Sequence, residues 1–92
     1  MDLTAIIKRI EATKTVGANQ DFKIRDLIVT TEEQYPQTLS IQFIQGKCDE
    51  LDKFPVGQKV KIDINLRGKE TTKDDKTIVF NTIQGWRIAE AV

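Results

Sequence analysis

The chain has 92 residues, 39% of them hydrophobic and 30% charged, with 14 basic and 14 acidic side chains that sum to zero. That suits one compact domain over residues 1–92, not a general polycation, and it lacks the ~18-residue apolar run that a membrane helix needs. A single cysteine, Cys48, and no histidine exclude an internal disulfide, the usual zinc sites and Ser-His-Asp or Cys-His chemistry, so no metal, cofactor or enzymatic activity is expected.

The opening "MDLTAIIKRIEATK" has neither the basic start nor the long apolar middle of a secretory signal, and a cytoplasmic location is expected. A first strand is predicted within residues 3–14. It is long, and Leu3, Ile6, Ile7 and Ile10 break strict alternation, which calls for a bulge or bend. After the turn signal "TVGANQD", "FKIRDLIVTT" reads as a second strand. Leu27 and Val29 lie on one face, with Phe22, Ile24 and Ile28 on the other. "EEQYPQ" is a turn that brings Tyr35 over the barrel end or to a ligand, since Pro36 cannot donate to a ladder.

"TLSIQFIQ" gives a third strand, with Leu39, Ile41 and Phe43 inward. "GKCDELDKF" departs from alternation and forms one or two helical turns, with Cys48, Leu51 and Phe54 on a shared face. The acidic neighbours of Cys48 disfavour its thiolate, so a reactive thiol is not expected. "FPVGQ" reverses the chain, and Phe54 and Val56 are expected to seat the helix. "KVKIDINLR" is the clearest strand, with Val60, Ile62, Ile64 and Leu66 on its buried face. "GKETTKDDK" reads as a loop, and a last strand over residues 77–89 carries Gly85 inside it.

Three strands, a short helix and two more strands make an all-β chain with one short helix. The order is that of a five-stranded Greek-key OB-fold barrel, whose helix lies between strands three and four. An SH3-like barrel would lack this helix.

Three stretches, "DLIVTTEEQYP", "DELDKFPVGQKVKI" and "FNTIQGWRI", extend the case across nearly the whole chain. In them the sequence resembles a small bacterial and phage family of OB-fold domains similar to single-stranded DNA-binding proteins. Within "VGANQDFKIRD" it departs from the family pattern: Phe22 takes an aromatic place, and Asp21 and Asp26 dilute the basic charge.

The resemblance implies sequence-tolerant binding of single-stranded DNA, with RNA left open beside it, and a role in replication or repair. A homodimer or larger homo-oligomer is expected from the outer apolar face and the small core. On the residues, seven basic side chains against four acidic ones between Lys53 and Lys76 suggest a cationic rim. The candidate interface is Phe22 with Lys23 and Arg25, then Lys61, Arg67, Lys69, Lys73 and Lys76, with Phe80 as a stacking platform. Trp86 belongs to two readings: Gly85 lets its indole turn back to cap the barrel, or it faces ligand. The alternative is a protein-interaction or assembly module without nucleic acid. It would use the apolar outer face expected on the second and third strands, which a second copy would cover.

Overall fold

The computed structural model describes residues 1–17 and 21–91, so part of the "TVGANQD" turn lies outside the described residues. In chain order the elements are β1 (Asp2–Ile10), β2 (Lys14–Val16), β3 (Phe22–Thr31), β4 (Thr38–Ile44), α1 (Lys47–Glu50), a 3₁₀ turn (Leu51–Lys53), β5 (Lys59–Lys73) and β6 (Lys76–Glu90).

Five strands close on themselves: β1 pairs β5, β5 pairs β6, β6 pairs β4, β4 pairs β3, and β3 returns to β1. The closing β4–β6 contact is parallel, Ile41 beside Ile83 and Gln42 beside Gln84, and the other pairings are antiparallel. This is the expected OB-fold ring with its helix before β5. The predicted long first strand is two strands. β1 shifts register between Ile7 and Arg9, the expected bulge, and β2 forms separately on the start of β3.

The core is the sum of the inward positions: Ala5, Ile7, Leu27, Val29, Ile41, Phe43, Val60, Ile62 and Ile64, with Leu51 brought in beneath them by the 3₁₀ turn. Gly57 has φ 95°, the left-handed value a type II turn requires at this position, and Gln58 N–H donates to Pro55 O at 3.2 Å. The turn is tied to β1, for Ile7 O accepts from Gly57 N–H at 2.8 Å and Ile7 N–H donates to Gln58 O at 3.0 Å. Phe54 packs on the core as expected, whereas Val56 sits at the exposed turn and seats nothing.

Two further expectations fail. Ile28, predicted outward and open, is only 8% exposed, and Ile24 pairs with Ile44, both half-buried, so no broad apolar face remains on β3 and β4. Leu66, predicted inward, is 65% exposed, because β5 has by then run past the end of the barrel. β5 and β6 are 15 residues each, roughly 50 Å of extended chain, against a longest molecular axis of 47 Å. The expected loop "GKETTKDDK" is the outer part of this hairpin arm.

Candidate nucleic-acid interface

The arm exists because its residues favour extension and its turn is tight. β-branched Thr71, Thr72, Thr77, Ile78 and Val79 suit a strand even where neither face is buried. Asp74 and Asp75 have φ of 53° and 63°, the two left-handed residues of a type I′ hairpin turn. Lys73 therefore faces Lys76, and pairing runs without a break to Ile64 opposite Gly85.

Period two then sorts the side chains. Arg67, Lys69, Thr71 and Lys73 of β5 share one face with Lys76, Ile78, Phe80 and Thr82 of β6, and Lys69 lies directly across from Phe80. The opposite face carries Leu66, Glu70 and Thr72 with Thr77, Val79 and Asn81, and no cation. Phe80 is 56% exposed, an aromatic surface with a cation across from it. Arg67 Nε donates to Gln84 Oε1 at 2.8 Å, which fixes the guanidinium against the sheet. Among the described residues Arg67, Lys69, Lys73 and Lys76 form no ion pair.

Towards the barrel the same face continues with Lys61, Asp63 and Arg87. Lys61 Nζ lies 3.7 Å from Asp2 Oδ2, and Arg87 Nε 4.0 Å from Asp63 Oδ2, exposed pairs that hold little energy and leave both cations accessible.

Trp86 sits where the ladder slips. Asp63 faces Arg87 and Ile64 faces Gly85, so Trp86 is the extra residue of a bulge, and it is 46% exposed. The bulge follows from Gly85, whose backbone lies on the Phe43 ring. The expected break of parity before Trp86 does not occur: Gly85 faces inward, alternation sends Trp86 outward, and the ladder slips only after it, so the indole does not turn back to cap the barrel.

The remaining candidates stand apart from the arm. Phe22 and Lys23 are exposed at the start of β3, against Val16 and Thr15 of β2. Arg25 takes the inward parity of β3, and its side chain is only 14% exposed. Its Nε donates to Glu11 O at 2.8 Å, and its Nη1 donates to Cys48 O at 3.0 Å and to Asp52 Oδ1 at 2.8 Å. Its donors are committed to holding α1 on β3, so Arg25 drops out of the phosphate-contacting set. Tyr35 is exposed on the β3–β4 turn and covers nothing.

Ile78 was missing from the candidates. It shares the Phe80 face, and the alternation in "TIVF" was its signal. Cys48 is buried, with its thiol donating to Phe43 O at 3.4 Å. Burial first, then the Asp49 charge, push its pKa up, which suits an inert packing residue. Among the described residues no His, Cys, Asp or Glu cluster is placed to hold a metal, and no helix is long and apolar enough to cross a membrane.

Among solved structures, the chain is similar to the SSB domain of a Synechococcus sp. protein, with TM-score 0.66 and 16% identity, covering 96% of this chain and 90% of that one. It is also similar to a small single-stranded DNA-binding protein from Streptomyces coelicolor, with TM-score 0.64 and 11% identity, covering 100% of this chain and 93% of that one. At such identities the likeness establishes the OB fold. No curated protein matches the chain. The family model for the domain of unknown function DUF3127 matches residues 2–89, and the chain belongs to that family.

Proposed function

We propose that the chain binds single-stranded DNA, with little regard to sequence, on the cationic face of the β5–β6 arm. One observation carries this reading: Arg67, Lys69, Lys73 and Lys76, none of them in an ion pair among the described residues, share a sheet face with the exposed Phe80 ring. Long cations track a phosphate backbone without reading it, and an aromatic face accepts any base. Lys61, Arg87 and the exposed Trp86 extend the track toward the barrel, and Phe22 with Lys23 offers a second contact on β3. The similarity of the fold to single-stranded DNA-binding domains supports the same reading. RNA is accommodated by the same chemistry, since nothing in a stacking platform with a cationic rim selects the sugar. On this reading the protein acts without catalysis, as a homodimer or larger assembly in the cytoplasm, protecting single strands during replication or repair.

The test is a fluorescence titration with oligo(dT) at low salt, following Trp86. Binding is expected to quench the indole and to be tighter for single strands than for duplex. Phe80→Ala should weaken it by ~1–3 kcal/mol, the usual worth of one stacked base. Equal affinity for duplex, or an unchanged Phe80→Ala variant, defeats the reading.

A further inference from the structure

Both edges of the arm are bare beyond the barrel. β1 covers β5 as far as Asp63 and β4 covers β6 at Ile83 and Gln84, and among the described residues no other strand pairs with the arm. The two-residue turn makes Lys73 and Lys76 a narrow, doubly hydrogen-bonded pair. Alternation from there sends the backbone N–H and C=O of Thr77, Val79 and Asn81 away from β5. The same phase turns Ile64 outward on β5, where its N–H donates to Met1 O at 2.8 Å. It also turns Ile83 outward on β6, where β4 meets it.

The two bare edges differ in charge. Along β5 the edge residues include Arg67, Lys69, Glu70 and Lys73, the kind of charged edge that discourages pairing. Along β6, "TIVFNT" from Thr77 to Thr82 holds no charge at all, and Ile78, Val79 and Phe80 are all exposed. An uncharged, β-branched, exposed edge is a template for another strand, and sheets that stay single interrupt it with a charge or a proline.

We infer that the β6 edge of the arm pairs antiparallel with the same edge of a second copy of this chain. An uncharged segment meets itself without repulsion, which favours a second copy as the occupant. A two-fold axis at Val79 places Thr77 opposite the partner subunit's Asn81, in narrow pairs that use the outward backbone groups. It places Ile78 opposite the partner subunit's Phe80, an aromatic to β-branched pair of the kind that stabilises sheets. Two arms become one four-stranded sheet, with both cationic faces on the same side. Edge pairing alone buries less than the ~1,200 Å² at the low end of stable interfaces, so the dimer is reversible and concentration-dependent. The inference rests on the arm's edges and goes beyond the nucleic-acid reading.

Sedimentation equilibrium of the whole chain without nucleic acid tests it, from micromolar to near-millimolar concentration. The wild type is expected to show a monomer–dimer equilibrium. Val79→Pro removes an outward N–H while sparing the bonds to β5, and should weaken dimerisation at least ~tenfold, about 1.4 kcal/mol. Glu70→Pro does the same on the opposite edge of the same arm, at the position facing Val79, and should leave the dimer intact. A wild type that stays monomeric leaves the edge to solvent or an unlike strand and overturns the inference. So does a dimer that survives Val79→Pro, or one lost equally in both variants, which would report a damaged arm.

Discussion

Gly85 is the residue on which the candidate site turns. A Cβ added there would lie 2.8 Å from both Cε atoms of Phe43, inside the space of a ring that is itself fully buried. The ring cannot retreat through a close-packed core, so Gly85→Ala should destabilise the fold by ~1–3 kcal/mol, read as a lower urea midpoint at unchanged slope. Phe43→Leu in the same chain removes the colliding ring atoms and should recover part of the loss, a non-additive pair. Full additivity would mean that the two residues do not share space. The same contact fixes the face of Trp86, which was ambiguous in sequence. Period two through the inward Gly85 gives the indole the outward face it has; the sequence does not show on which side of Trp86 the bulge falls, and the ladder slips after it.

The strands that were legible are those with one buried face. In β4 and the barrel half of β5, Ile41, Phe43, Val60, Ile62 and Ile64 recur at every second position because water is excluded from one side only. The outer half of β5 was misread as a loop because neither face of the arm is buried: "GKETTKDDK" has no apolar period, and its β-branched threonines are a weaker signal. Arg25 was misassigned by the opposite error. A cation beside an aromatic on a strand reads as a phosphate contact, but the inward parity shared with Leu27 and Val29 is visible in the sequence and directs Arg25 under the helix. Its fork joins β3, the chain after β1, and α1, and a lysine cannot make three directed bonds from one nitrogen in that geometry. Arg25→Lys should therefore cost about 1.5–3 kcal/mol of stability, the worth of a charged hydrogen bond left unmade. The folded variant should bind oligo(dT) as the wild type does. A stable variant with weakened binding would return Arg25 to the interface.

At the scale of the whole molecule the zero net charge is a sum over separated regions, and the sum is not what a ligand meets. The molecule is 47 Å long, and the Debye length at physiological salt is ~8 Å, so carboxylates on the barrel do little to cancel the field at the outer arm. Locally Lys69, Lys73 and Lys76 are opposed by Glu70 on the other face and by Asp74 and Asp75 at the turn. Whether the arm binds a polyanion is then a question of counterions released, which salt dependence measures. Each phosphate neutralised on a single strand contributes ~0.7 to the slope of log K against log salt concentration. Changing Lys69, Lys73 and Lys76 together to Gln should lower the magnitude of that slope by about 2. Changing Lys8 of β1 with Lys47 and Lys53, on the helix and its 3₁₀ extension, removes the same number of charges, three, away from the arm and should leave the slope where it was. Equal loss in both sets would mean that the chain attracts polyanions through its general charge, and the arm would have no claim to be the site.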